Sequence, residues 1–106
     1  MKNILIVDND PIMLHTVVGL LKSQGSGFLR VLSAANIQAT MKVLSGEDID
    51  LLITGMHMSE MDAFELLSEL TADYPHIRVI VMTNNASSMF RAKIKQSASV
   101  IHFDQA

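Results

Sequence analysis

Apolar residues along this chain fall into short continuous runs, separated by stretches in which they recur every third or fourth position. The runs are Asn3–Val7 (NILIV), Phe28–Ser33 (FLRVLS), Asp50–Thr54 (DLLIT), Ile77–Met82 (IRVIVM) and Ser99–Phe103 (SVIHF). Short runs rich in Ile, Val and Leu, mostly without polar alternation, predict parallel strands covered on both faces. The last run is more polar, which suits an edge strand. Four amphipathic segments lie between the runs. Pro11–Ser23 has Asp10 as N-cap and Pro11 at its first helical position, with Leu14, Val17, Val18 and Leu21 on one face. Gln24-Gly25-Ser26-Gly27 ends it. Asn36–Leu44 presents Ile37, Met41 and Leu44 and stops at Ser45-Gly46. Asp62–Asp73 presents Phe64, Leu67 and Leu70 and ends before Pro75. Ala86–Gln96 carries Ala86, Phe90 and Ile94 at helical spacing.

The order βαβαβαβαβ predicts an α/β fold, a parallel sheet with helices on both faces. In an open doubly wound sheet, ligands bind beyond the carboxyl ends of the strands. That rule selects Asp8-Asn9-Asp10, the loop from Gly55 to Met58, Thr83-Asn84-Asn85, and Asp104. The first loop has no glycine-rich phosphate cradle, which argues against a dinucleotide site or a P-loop.

Composition narrows the class further. At 106 residues, with 49% hydrophobic and 18% charged, the chain reads as one folded domain rather than a disordered segment. It has no cysteine, which excludes disulfides and thiolate metal sites. No apolar run approaches the ~18 residues of a membrane span. The start lacks a secretory h-region, so a cytoplasmic protein without membrane contact is expected. A formal charge of -3 offers nucleic acid no overall attraction, so direct binding by this segment is not expected.

The segment Ile49–Leu67, IDLLITGMHMSEMDAFELL, resembles the centre of bacterial response-regulator receiver domains (the CheY-like family). There a strand ends in Asp, followed by x-x-Met-Pro-x-Met-Asp-Gly and a helix. Met58, Met61, Asp62, Phe64, Glu65 and Leu66 fit that pattern in register, with Ser59 for Pro and Ala63 for Gly. ILIVDNDP is similar to the receiver opening, VIVMT to its fourth strand, and SASVIHFDQ to its Gly-Ala-x-x-Tyr-Leu-x-Lys-Pro. The resemblance implies a flavodoxin-like sheet of order 2-1-3-4-5. It also implies a fifth helix after the last strand, which is not found within this chain. Five positions of the phosphorylation site carry over as Asp8, Asn9, Gly55, Thr83 and Asp104. Asp8 and Thr83 keep the family's residue type. Asn9 replaces the second Mg²⁺-binding acid, and Gly55 replaces the phosphoacceptor Asp. Asp104 stands where a phosphate-binding Lys is expected, and Gln105 replaces the Pro. Glycine has no nucleophile, and Mg²⁺ favours anionic oxygens. The resemblance therefore implies a degenerate pseudo-receiver without catalytic residues or a cofactor. It would be the N-terminal part of a two-component response regulator, acting through a protein partner or its own output domain, often one that binds DNA in transcription regulation.

Two rival readings remain open. One is a cation- or small-molecule-sensing domain, with Asp8 and Asp10 as metal ligands aided by Asp104 and the Met56 carbonyl. The other is a residual phosphoacceptor, for instance at His57. Against the first, Asp10 caps the first helix and Asp8 is a vestige; against the second, His57 is an exposed loop residue with no evident base. Met56, Met58 and Met61 read as packing or as a soft partner surface. Arg91, Lys93 and Lys95 form a basic strip, and Glu60, Asp62, Glu65, Glu69 and Asp73 an acidic one. Both read as solvated faces, or as a complementary pair across an interface. Strand five and the adjoining helix faces would stay uncovered without a fifth helix, so self-association as a homodimer is expected.

Overall fold

A computed structural model describes every residue except Met1, Gly25, Ser26, Phe28, Met56, Ser97, Ala98 and Ala106, and every side chain of the described residues except that of Gln105. Among the described residues the chain forms β1 (Lys2–Val7), α1 (Pro11–Ser23), β2 (Leu29–Ala34), α2 (Ile37–Gly46), β3 (Leu51–Thr54), α3 (Glu60–Asp73), β4 (Arg78–Asn84), α4 (Ser88–Ile94) and β5 (Val100–Gln105). All pairings are parallel and the sheet order is β2-β1-β3-β4-β5. This is the flavodoxin-like doubly wound sheet, with β5 at an edge as expected.

Strand alternation divides the apolar side chains between two faces of unequal cover. Leu5, Val7, Leu52, Val79 and Val81 point to one face, where they pack with Leu44, Ala63, Leu66, Leu70, Phe90 and Ile94 from α2, α3 and α4. The opposite face carries Ile4, Ile6, Ile53, Ile80, Met82, Ile101 and Phe103. Ile4 and Ile6 are buried there, but Ile101 and Phe103 are more than half exposed. The strands at the edge therefore show the solvent a row of apolar side chains that the central strands do not.

Each helix starts on a side-chain cap. The Asp10 carboxylate accepts from Ile12 N–H, Asn36 Oδ1 from Ala39, Ser59 Oγ from Asp62 and Ser87 Oγ from Phe90. Each cap satisfies one of the N–H groups that a helix start leaves without a partner. The boundaries of α1 match the sequence pattern, whereas α3 begins at Glu60 and α4 shrinks to Ser88–Ile94 because Ser59 and Ser87 are the caps. The inward faces shift accordingly. Ala63, Leu66 and Leu70 are the buried residues of α3, while Phe64 and Leu67 pack partly exposed around them. In α2 the fully buried residue besides Leu44 is Thr40, whose hydroxyl donates back to the Asn36 carbonyl at 2.8 Å and is thereby satisfied. No residue of α1 is buried, although Leu14, Val17, Val18 and Leu21 are its partly covered face. The expected Gly25-Ser26 stop and the first residue of the second apolar run, Phe28, lie outside the described residues.

Candidate functional site

The carboxyl ends of β1 and β3 meet where the Gly55 N–H donates to the Val7 carbonyl at 2.6 Å. Asp8 follows Val7 and turns inward, 1% exposed. Its Oδ1 accepts the Asp10 N–H at 2.8 Å. Its carboxylate also faces His57, whose Nδ1 lies 3.3 Å from Oδ2 and 3.2 Å from Oδ1. The other imidazole nitrogen, Nε2, is 3.7 Å from Asp10 Oδ2. Asp8, Asp10 and His57 thus form one cluster, with the imidazole between two carboxylates.

Gly55 is required here by close approach and not by backbone angle, since no described glycine has positive φ. A Cβ at this position would stand 1.9 Å from Asp8 Oδ2, 2.4 Å from its Cγ and 2.8 Å from its Cβ. The Asp8 carboxylate therefore occupies the volume in which any side chain at position 55 would begin.

A second cluster joins β4, the β4–α4 segment, α4 and β5. Parallel register sets Thr83 opposite Asp104. The Thr83 hydroxyl donates to Asp104 Oδ1 at 2.9 Å, and the Ala86 N–H donates to the same oxygen at 3.1 Å. The Arg91 guanidinium binds Asp104 Oδ2. His102 Nε2 lies 2.7 Å from Thr83 Oγ1. A hydroxyl has a single proton, which here goes to Asp104, so His102 is the donor and holds its proton on Nε2. The His102 ring stands edge-on to Phe90 at 5.7 Å between centroids. The Ala86 amide, then the Thr83 hydroxyl and Arg91, hold the Asp104 carboxyl below its ordinary pKa against the opposing effect of burial. Glu60 at the start of α3 accepts the Ser87 N–H and hydroxyl, both at 2.8 Å, and so ties α3 to the cap of α4.

All five positions selected from the sequence lie at the carboxyl ends of strands, but no shared hydrogen bond gathers them into one group. Asp8 and Gly55 are in contact; Thr83 and Asp104 form a separate group; Asn9 is exposed. Asp104 does not join Asp8 and Asp10, because its oxygens are taken by Thr83, Ala86 and Arg91. Met56, the other expected contributor, lies outside the described residues. Among the described residues, no three His, Asp or Glu side chains gather around a common metal position. Sequence reasoning missed the contact that gives His57 a carboxylate partner and the donor role of His102. Alternation along β5 does put His102 and Asp104 on one face, but only register with β4 aims both at Thr83. The basic strip is also only partly solvated: Arg91 is paired, and Lys93 Nζ lies 4.8 Å from the Phe64 ring centroid.

Fold and site together define a doubly wound α/β domain with polar clusters at the strand ends. The family model for the response regulator receiver domain matches residues 4–101. The chain is 33% identical over 85 residues to the transcriptional regulatory protein GlrR of Escherichia coli, covering 80% of this chain and 18% of that protein. It is 35% identical over 83 residues to the heme response regulator HssR of Staphylococcus epidermidis, covering 78% of this chain and 35% of that one. The signal receiver domain of an HD domain-containing protein from Pseudomonas fluorescens superposes with a TM-score of 0.83 at 22% identity, over 98% of this chain and 82% of that chain. This chain belongs to the response-regulator receiver family. It spans between about a fifth and a third of the length of these two curated relatives. No described helix is long and apolar enough to cross a membrane.

Proposed function

We propose that this domain is a pseudo-receiver: a non-enzymatic, phosphorylation-independent regulatory module that acts through protein–protein contact. One observation carries the reading. The buried Asp8 carboxylate fills the space that a phosphoacceptor side chain at position 55 needs. The site holds no carboxylate at position 55 to attack a phosphoryl donor. The donor set is also a poor match for Mg²⁺. Asp8 already accepts the Asp10 N–H and faces His57, Asn9 is neutral, and Gly55 offers no side-chain oxygen. No step is therefore assigned to a metal ion.

The setting that fits is the cytoplasm, with the domain as the N-terminal part of a longer response regulator. The relatives named transcriptional regulators support control of a DNA-binding output domain. The half-exposed Ile101 and Phe103 at the β5 edge, together with Met82, support a homodimer or an output-domain contact on that face.

Incubation with acetyl phosphate and Mg²⁺, followed by intact-mass measurement at neutral pH, tests the reading. No adduct is expected. A stoichiometric phosphoryl adduct would overturn it; an acid-labile adduct mapped to His57 would assign the chemistry to the residue that Asp8 orients. Sedimentation of the chain across a range of concentrations tests the dimer, and a monomer at high concentration would refute it.

A further inference from the structure

We propose that Asp104 is a built-in ligand: its carboxylate fills an oxyanion site made by the Thr83 hydroxyl, the Ala86 N–H and the Arg91 guanidinium, and so locks β4, α4 and β5 in one arrangement. The proposal deepens the phosphorylation-independent reading and rests on it. It supplies the reason why the domain needs no added phosphoryl group to hold these elements together.

Three donors of different kinds, from three different segments, converge on one carboxylate from a fourth. The Asp104 side chain is 13% exposed, so water competes poorly for it. The site is also braced from behind. His102 donates to Thr83 Oγ1, which leaves the hydroxyl proton only Asp104 as its partner. Asn85, between the Thr83 and Ala86 donors, holds φ at 60°, a left-handed conformation that is uncommon outside glycine. Such a conformation persists where the surroundings over-determine it, and the Ala86–Asp104 bond is the adjacent restraint. A hydroxyl, an amide N–H and a guanidinium together bind carboxylates and phosphates alike. Because Asp104 is tethered, its effective concentration exceeds that of any free anion, and the wild-type site is closed to exchange.

Removing the tethered ligand should convert the lock into an anion-dependent one. In Asp104→Ala the three donors remain and the space is vacated. Hydrogen exchange of the amides from Ala86 to Arg91 is expected to quicken by about tenfold or more, because each loses the arrangement that one acceptor imposed. Acetate or inorganic phosphate, added at constant ionic strength, is expected to slow it again, while chloride does not. Wild-type exchange should ignore all three. Unchanged exchange in a folded Asp104→Ala protein overturns the lock. Fast exchange that neither acetate nor phosphate slows overturns the oxyanion site.

If Asp104→Ala does not fold, Arg91→Gln serves instead, since that side chain is 48% exposed and outside the core. It should quicken the same amides and leave the β1 and β3 amides unchanged; unaltered exchange from Ala86 to Arg91 refutes the proposal. A phosphoryl adduct on the wild-type protein would overturn the pseudo-receiver reading alone. The exchange result is read independently of it.

Discussion

Gly55→Ala is the substitution on which the reading of the first cluster turns. The backbone tolerates alanine there, because Gly55 does not have positive φ. The obstacle is Asp8, whose Oδ2 and Cγ would lie 1.9 and 2.4 Å from the new methyl carbon. Neither distance is sustainable, so Asp8 must leave its place. Its main chain is held by the N–H bond to the Ala34 carbonyl at 3.2 Å, so most of the adjustment falls on the side chain, with a small backbone shift to relieve the 2.8 Å approach of its Cβ. Turning it away breaks the 2.8 Å bond from the Asp10 N–H and the contact with His57. Overpacking of this kind costs about 1–3 kcal/mol. Loss of a hydrogen bond to a charged group costs about 1.5–3 kcal/mol. A total near 3 kcal/mol is expected, equivalent to a fall in Tm of roughly 10–20 °C for a domain of this size. Asp8→Ala removes the Oδ2 and Cγ clashes and leaves only the 2.8 Å approach of the residue 8 Cβ. In that background Gly55→Ala should cost less than about 1 kcal/mol, since only the Cβ–Cβ approach remains and the unfolded chain is also restricted. Urea denaturation of the four proteins gives the coupling energy, expected at about 2–3 kcal/mol. Additivity within ~0.5 kcal/mol would show that Asp8 does not occupy the space of residue 55.

Three further outcomes are expected. Phe90→Ala removes a fully buried ring packed 4.7 Å from Phe64 between centroids and should cost about 3–5 kcal/mol by denaturant titration; a loss below ~1 kcal/mol would displace Phe90 from the core. Gly19→Ala lies in exposed α1 with nothing within 4 Å of the added carbon, and should raise stability by about 0.5–1 kcal/mol; destabilisation would contradict the open surroundings. Asp104 and Glu47 (paired with Arg30) both have pKa values lowered on folding. The stability each confers is complete above the ordinary carboxylate pKa of about 4 and is lost as pH falls through the lower folded value. Asp104→Asn should therefore be the less stable protein at neutral pH, with the gap closing below about pH 4; a gap that widens in acid would reverse the assignment.

Much of the fold was legible because its strands are continuous apolar runs and its helices carry their own caps. Asp10 and Pro11 mark the start of α1 without ambiguity. The start of α4 was misplaced because Ala86 and Phe90 share helical spacing, whereas the capping hydroxyl belongs to Ser87. Site positions were legible from the rule that function gathers at strand ends. Their partners were not. Nothing local links Asp8 to His57, 49 residues away, or Arg91 to Asp104. Those contacts depend on where loops and helix faces come to rest after the sheet has set its register. Glycine at position 55 reads in the sequence as a lost carboxylate. Its second meaning, room for Asp8, needs three-dimensional distances.

The unequal cover of the two sheet faces has a kinetic consequence. The side where Leu5, Leu52, Val79 and Val81 meet α3 and α4 holds the principal buried cluster, whereas α1 contributes no buried side chain to the other. A folding nucleus assembles where the most apolar contacts are shared, which places it among β1, β3, β4 and the helices of the well-packed face. Docking of α1 then belongs after the rate-limiting barrier. Leu14→Ala should accordingly leave the refolding limb of a chevron almost unmoved and raise the unfolding limb, with a φ-value near zero, while Leu66→Ala should slow refolding. The chain would thus reach its native topology with one side of the sheet finished and its first helix the last to settle.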